Sequence, residues 1–224
     1  MKKELTDNAD AKRAQYQANM IPGAKNILGS RMSAMRELSK RICKDDWRGF
    51  LNEPVEYFEE STLRALVIAN ADMEFGERLD LTVNFVPEID NWAVCDILCM
   101  DWKVEDGPDK DKLWEYCLEL IETDDEYRMR VSAVMMLAHF LDDKYADEAL
   151  RLLTTKYHPG YYYKMGAAWA LSYYYIKYPE KTEPMLFLDS LDKEIRNKTV
   201  QKISDSFRVS KEDKERLKAK KKAL

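Results

Sequence analysis

The sequence is poor in residues that interrupt helices. Its 224 residues include 7 glycines and 7 prolines, roughly half of the usual share. An all-β sandwich needs turn residues between many short strands, so this composition argues against that class. Long helices with few interruptions are favoured instead.

Long apolar runs and metal-ligand spacings are also missing. No window of about 18 apolar residues occurs, so no transmembrane helix is expected. The polar start Met1-Lys2-Lys3-Glu4 has no apolar stretch behind it, and we expect no secretory signal. The four cysteines and two histidines give neither a disulfide framework nor a zinc spacing. We therefore expect a cytoplasmic protein that holds no metal.

Charge is unevenly distributed along the chain. Residues 1–50 carry 11 Lys and Arg against 6 Asp and Glu, and residues 181–224 carry 13 against 8. Residues 51–120 carry only 5 against 18. The formal net charge of −5 would ordinarily argue against a nucleic-acid partner. Basic ends around an acidic middle nevertheless allow a basic surface in the folded chain, because the local field matters more than the total.

What the sequence does contain is helical periodicity. Apolar residues recur at three- and four-residue spacing, and no segment alternates with period two for long enough to predict a strand. The predicted class is all-α, with a single domain over residues 1–224 and frayed ends at 1–15 and 211–224. Ser30 is a candidate cap of one helix. The predicted helices cover residues 31–44, 56–70, 74–85, 91–101, 109–122, 125–141, 145–157, 161–177, 183–191, 193–207 and 211–222.

A weak internal repeat is visible in the second half. Residues 129–133 align with 163–167 at an offset of 34, and these align with 195–199 at a further offset of 32. Two helices per unit at this period predict an α-solenoid. The aligned column places a cation in each unit, at Arg130, Lys164 and Arg196, which would give a concave basic face able to follow a polyanion. Alternatively, the three matches arise by chance, because helix surfaces are rich in Lys and Arg.

The segment from Phe85 to Asp96 is the most informative part of the sequence. Asp90 or Asn91 can cap the helix that follows Pro87. Trp92 and Asp96 are four residues apart and share a helix face. By their spacing, Cys95 and Cys99 lie on the same face. An indole beside a carboxylate suits a cationic ligand, through cation–π and Coulomb attraction. Alternatively, Trp92 packs between repeats and Asp96 pairs with a neighbouring arginine.

A second aromatic cluster occupies residues 157–178. Trp169, Tyr162 and Tyr173 fall on one helix face at three- and four-residue spacing. Gly166 lies on that face one turn before Trp169, where the missing side chain would let a backbone or a ligand approach. Alternatively, such tyrosine density marks an interface between helices.

Four sequence features together resemble a known family. They are Ile27-Leu-Gly-Ser-Arg31 through Arg36, the motif Asn91-Trp92-x-x-x-Asp96, Arg130 ahead of Ser132-Ala133, and Gly166-x-x-Trp169. In order and separation, this set is similar to bacterial DNA alkylation repair glycosylases of the AlkD type, which are built from HEAT-like helical repeats. The resemblance runs from about Tyr16 to Phe207.

The resemblance implies an activity and a set of site residues. Members excise positively charged N3- and N7-alkylated purines from duplex DNA without a metal or redox cofactor, and they do not need to flip the base into a pocket. By position, Asp96 would be the catalytic carboxylate, Trp92 and Trp169 would pack against the sugar and backbone of the damaged nucleotide, and Arg130 would contact the DNA backbone. Further candidates for phosphate contacts are Arg31, Arg36, Lys164 and Arg196. The protein would then act as a monomer on the bacterial nucleoid.

Two alternative hypotheses remain beside this interpretation. Residues 1–20 show no clear match to the additional N-terminal helix with which active members hold the lesion. A HEAT-like protein that recognises DNA structure or damage without chemistry is therefore the second hypothesis. A protein-interaction scaffold that uses the tyrosine face is the third, and it predicts no DNA binding at all.

Overall fold

The protein is helical throughout the part that the computed structural model describes, residues 2–223. Within these residues there are fourteen α-helices, one short 3-10 helix and no strand. The predicted all-α class is confirmed. The chain divides between Asp109 and Lys110 into two compact units, which are described in turn, and a single domain stays a prediction.

The first unit contains three helices that the periodicity did not predict. These are α1, α2 and α4, which are short or polar and lack a clear apolar stripe. The elements are α1 (Lys2–Asp7), α2 (Ala11–Met20), α3 (Met32–Lys44), α4 (Trp47–Asn52), α5 (Phe58–Asn70), α6 (Phe75–Phe85), a 3-10 helix (Val86–Glu88) and α7 (Trp92–Asp101).

The second unit follows the predicted helices closely, with one exception. The helix predicted at 183–191 begins earlier, because Pro179 occupies the first helical turn, where its fixed φ is suited to helix initiation. The elements are α8 (Pro108–Ile121), which begins just before the boundary, α9 (Glu126–His139), α10 (Ala146–Thr155), α11 (Tyr161–Lys177), α12 (Pro179–Leu186), α13 (Lys193–Asp205) and α14 (Lys211–Lys222).

The first unit is built around α5, which packs between α3 and α7. Leu63 and Leu66 of α5 are buried against Met35 and Leu38 of α3. Leu5 of α1 belongs to the same cluster and is 3% exposed. Burial of Leu5 packs α1 against this core, and fraying of residues 1–15 stays a prediction.

A buried carboxylate organises the chain ahead of α3. Glu59 is fully buried on α5, and it accepts hydrogen bonds from the backbone N–H groups of Leu28 at 3.0 Å, Gly29 at 2.8 Å and Ser30 at 3.1 Å. Three donors offset the cost of burying the charge. The expectation that Ser30 caps α3 was wrong, because Arg31 is the N-cap and makes no side-chain cap bond. Ser30 instead belongs to the loop that Glu59 holds.

The second unit shows the helical repeat as recurring contacts. Helix α11 packs between α9 and α13, and α10 packs on α12. Side chains reach partners one repeat away along the chain: Lys110 reaches Asp142, Lys156 reaches Glu122, Lys181 reaches Asp147 and the Tyr174 hydroxyl reaches the Phe140 carbonyl. These separations of 32 to 34 residues match the period seen in the sequence.

Helix α14 contacts this unit through a buried leucine and ion pairs to α12. Leu217 is fully buried. Glu183 of α12 accepts from Arg216 Nη2 at 2.7 Å and also pairs with Lys220. These hydrogen bonds from Arg216 and Lys220 lower the pKa of Glu183 from 4.5 to about 2. Fraying at 211–224 stays a prediction, which these contacts of α14 oppose.

The first prediction concerns Glu59. In Glu59→Gln, one carbonyl oxygen replaces a carboxylate and an NH₂ group faces backbone donors, so we expect a loss of about 2–4 kcal/mol in unfolding free energy. Urea unfolding followed by far-UV circular dichroism measures it. Glu74→Gln, which removes an exposed carboxylate in the same unit, is the control and should change stability by less than about 0.5 kcal/mol. Equal stability of the two variants would contradict the assignment.

The second prediction concerns the pH dependence of the contact between α12 and α14. Because the folded pKa of Glu183 is depressed, its stabilisation is present above about pH 4.5 and is lost as the pH falls towards 2. Glu183→Gln should cost roughly 1–2 kcal/mol near neutral pH, a figure reduced for solvent screening because Arg216 and Lys220 are about half-exposed. Thermal unfolding at several pH values should show the difference shrinking with acid. A difference in stability between Glu183→Gln and the wild type that is independent of pH would refute this role of Glu183.

Candidate functional site

Helix α7 presents Trp92 and Asp96 on its accessible side. The Asn91 side chain caps the helix by accepting from the Val94 N–H at 3.0 Å, as the sequence predicted. Trp92 and Asp96 are half-buried, whereas Cys95 and Cys99 are fully buried. The four residues share one face of α7 by their spacing, as expected, but burial differs within that face, because Cys95 and Cys99 lie against the core.

The indole of Trp92 is held by the N-terminal helices. Its Nε1–H donates to the Met20 carbonyl at the end of α2, at 3.0 Å. Helix α2 is fixed in turn to the loop under Glu59, since Asp10 N–H donates to Leu28 O at 2.9 Å. This connection was missed from the sequence, where residues 1–20 showed no recognisable helix for the site.

Close approach of α2 to this loop depends on Gly29. Gly29 has φ +86°, and a Cβ there would lie 2.2 Å from the Asp10 carbonyl oxygen and 2.6 Å from the Ala14 nitrogen. A side chain at this position would push α2 away from the loop. The Gly29 within the Ile27–Arg31 motif is thus a structural requirement of the surface next to Trp92.

Two of the expected phosphate contacts lie on α3 in the same unit. Arg31 is exposed at the start of the helix. Arg36 forms a two-pronged ion pair with Asp101 at the end of α7, with Nη2 to Oδ1 at 3.0 Å. This hydrogen-bonded pair raises the pKa of Arg36. Both cations are exposed, but much of the charge of Arg36 is compensated by Asp101.

In the second unit, Arg130 is packed rather than extended into solvent. It is 5% exposed, and its Nη1 donates to the Tyr162 carbonyl at 2.6 Å. Gly166 makes room for it, since a Cβ on Gly166 would lie 3.2 Å from Arg130 Cγ. The close approach expected at Gly166 is thus filled by a neighbouring side chain from α9.

The other two cations of the repeat column also have protein partners. Lys164 pairs with Glu194, which raises the pKa of the lysine. Arg196 is 9% exposed and donates to the carbonyls of Leu186 at 2.9 Å and Leu188 at 2.7 Å. Arg196 therefore joins α13 to the end of α12. Arg196 and Arg130 are therefore equivalent in their position within the repeat.

Trp169 lies half-buried on α11 beside a cleft. Its ring meets Tyr173 edge-to-face with 6.2 Å between centroids, and the Arg208 guanidinium lies 5.3 Å from the Tyr173 ring centre. Tyr162, Trp169 and Tyr173 are all half-buried on α11, and the spacing predicted that they share a face. Arg208 and its neighbour Phe207 were missed, because the helix predicted at 193–207 includes Phe207, whereas α13 ends at Asp205 and both residues lie in the turn that follows.

The described part of the chain contains neither a group of metal-ligating side chains nor a membrane-spanning helix. Among residues 2–223, no three His, Cys, Asp or Glu side chains are grouped so that they could hold a metal ion. None of the helices described there is both long and apolar enough to cross a membrane.

The third prediction tests the contact between Trp92 and α2. Trp92→Phe keeps an aromatic ring but removes the indole donor, which should cost about 0.5–1.5 kcal/mol because the Met20 carbonyl loses its partner. Hydrogen exchange should become faster at residues 17–24, while α5 in the same unit serves as the internal reference. Unchanged exchange at the end of α2 would show that the indole does not hold this helix.

Comparison with known proteins gives one family. Residues 1–204 match the family model described as DNA alkylation repair enzyme. No curated protein matches the sequence. The family match spans the motifs at Asn91–Asp96, Arg130 and Gly166–Trp169 and agrees with the resemblance inferred from them.

Proposed function

Because the chain belongs to the family of DNA alkylation repair enzymes, we propose that it is a DNA glycosylase of base-excision repair. The proposed reaction is hydrolysis of the N-glycosidic bond of cationic N3- or N7-alkylated purines in duplex DNA. The observation that carries the proposal is the half-accessible Asp96 carboxylate one turn from the Trp92 indole, on a capped helix.

The chemistry requires little beyond a fixed anion. An alkylated purine already carries a positive charge, so it leaves as a neutral base when it takes both electrons of the glycosidic bond. Positive charge then develops on the deoxyribose, where the Asp96 carboxylate stabilises it and orients water. Water adds to C1′ and loses its proton to solvent. No general acid and no cofactor enters this scheme.

Aromatic rings are the second component of the proposed site. The Trp92 indole is held at its nitrogen by Met20, so its orientation is set before substrate binds. Electron-rich ring faces attract a developing cation and pack well against deoxyribose. Trp169, on the accessible face of α11, is assigned the corresponding role in the second unit. Fixed rings lower the entropic cost of binding, because their rotamers are already restricted.

The cations divide into two groups in this proposal. Arg31 is exposed and suited to a phosphate contact. Arg130, Arg36 and Lys164 would contact DNA only through the part of each head group that its protein partner leaves accessible. Arg196 is assigned to holding α12 and α13 together, because its guanidinium donates to backbone carbonyls. We further propose that the protein acts as a monomer on the nucleoid.

The fourth prediction tests catalysis directly. A duplex oligonucleotide with one N7-methylguanine is incubated with the wild type and with Asp96→Asn, and released free base is measured above the spontaneous rate. Loss of a charge that stabilises the transition state should reduce release by about 100-fold or more. DNA affinity and thermal stability should change little, because Asn has nearly the same shape as Asp.

A matched control removes the same charge elsewhere in the unit. Asp80→Asn changes an exposed residue of α6 and should release base at the wild-type rate. Wild-type release by Asp96→Asn would refute the role of Asp96. Absence of release by the wild type, with DNA still bound, would refute the glycosylase and favour a protein that recognises damage without chemistry. Absence of DNA binding would refute both.

A further inference from the structure

The turn between α13 and α14 carries a phenylalanine that has no packing role in the chain. The Phe207 side chain is 103% exposed, whereas the other exposed large apolar residues among the described residues lie between 39% and 64%. An exposed phenylalanine forgoes the favourable burial of its ring. A ring presented in this way is available to an external partner.

The turn holds Phe207 in a defined place. Ser206 ends α13 with its N–H donated to the Ile203 carbonyl, and the Arg208 N–H donates to Ser206 Oγ at 3.2 Å. On the other side, Ser210 caps α14 by accepting from the Asp213 N–H at 3.1 Å. Phe207 thus projects from a short link between two capped helix ends, which limits the backbone freedom that binding would have to remove.

A cleft lies next to this turn, within the second unit. Its volume is about 450 Å³, and its lining includes Trp169 and Tyr173 of α11 together with Phe207 and Arg208 of the turn. Pockets that hold small ligands measure about 300–1,000 Å³. The cleft thus has two aromatic rings, with a guanidinium over one of them. Proteins that bind single-stranded nucleic acids use this combination, in which bases stack on the rings and phosphates pair with the cations.

The charge around the turn suits a polyanion. Residues 198–211 contain Lys198, Lys202, Arg208 and Lys211 against the acid Asp205, while Glu212 and Asp213 follow in the first turn of α14, where Asp213 pairs with Arg216. This excess matters because the field at the turn, rather than the net charge of the chain, governs approach of DNA. Phosphate pairing at Arg208 would place a nucleotide within reach of the neighbouring Phe207 ring.

We propose that the 206–210 turn is a stacking contact for a base whose own stack in the duplex is broken, with Phe207 on the base and Arg208 on the adjacent phosphate. The proposal rests on the proposed function, because it takes DNA as the substrate. An intact duplex covers both faces of each base, so Phe207 has a stacking partner only beside an abasic site, a mismatch or a strand end. The turn therefore distinguishes broken from intact stacks, and it retains the abasic product of glycosylase action.

The fifth prediction measures this discrimination by fluorescence anisotropy. The probes are two duplexes of the same sequence, one intact and one with a tetrahydrofuran abasic analogue. Phe207→Ala should weaken binding to the abasic duplex by about tenfold or more and leave binding to the intact duplex within about twofold. Phe207→Trp should restore the preference. Arg208→Ala should weaken both complexes and reduce the salt dependence of binding by about one phosphate contact.

Controls separate stacking from loss of fold. Phe207 is fully exposed, so Phe207→Ala should melt at the wild-type temperature. Leu188→Ala truncates another exposed apolar residue of the same unit and should keep the abasic preference. A 2-aminopurine placed beside the abasic analogue reports stacking directly, and its fluorescence should be quenched by the wild type more than by Phe207→Ala.

The outcomes distinguish this proposal from the proposed function. Equal binding of Phe207→Ala and the wild type to the abasic duplex, with base release intact, overturns the stacking contact alone. Equal weakening on both duplexes overturns the discrimination. Loss of discrimination in Phe207→Ala by a protein that releases no base supports the stacking contact and refutes the glycosylase. Absence of binding to either duplex by the wild type overturns both and leaves Phe207 as a contact for another protein.

Discussion

The buried carboxylate of Glu59 is the interaction on which the first unit depends. It gathers three backbone N–H groups of the 28–30 loop, and that loop holds α2 through the Asp10 N–H. Helix α2 then offers its last carbonyl, at Met20, to the Trp92 indole. A charge buried on α5 therefore fixes the orientation of a ring on α7. The same desolvation that makes this carboxylate costly to bury makes its hydrogen bonds directional and hard to replace.

Contacts between successive repeats hold the second unit together. Arg130 and Arg196 occupy equivalent positions in the repeat, and each donates to backbone carbonyls near the end or start of a neighbouring helix. The Leu186 carbonyl that Arg196 meets is at the last residue of α12, where carbonyls have no intrahelical partner, and a guanidinium supplies several donors from one side chain. A cation that recurs along a repeat can thus be required by packing, whether or not a polyanion binds. Lys164 occupies the same position in its repeat, but its partner is the carboxylate of Glu194 and not a backbone carbonyl.

Sequence reasoning predicted the parts of the molecule that depend on local rules. The all-α class follows from periodicity, and the cap at Asn91 and the accessible pair Trp92 and Asp96 follow from spacing. It failed where a distant group decides the outcome. Ser30 was expected to cap α3, but Glu59 takes its N–H. Helix α2 has no buried residue, so its place depends on contacts with the 28–30 loop and Trp92 that no periodic pattern encodes. Burial of Arg130 was likewise unpredictable, because it depends on the missing side chain of Gly166 on another helix.

The charge of the lesion explains why a shallow site would be sufficient for the proposed reaction. A neutral purine leaves poorly and needs a proton donor in a closed, dry pocket, whereas a cationic purine needs only stabilisation of the sugar as the bond breaks. A half-accessible carboxylate on a firmly capped helix meets that need without deep burial, which would raise the cost of keeping Asp96 ionised. Selectivity then comes from the substrate itself, since an unmodified base beside the same carboxylate lacks the charge that makes it a leaving group. In the proposed reaction the protein's contribution would be to hold Asp96 and Trp92 still, and the Met20 contact to Trp92 is the visible part of that restraint.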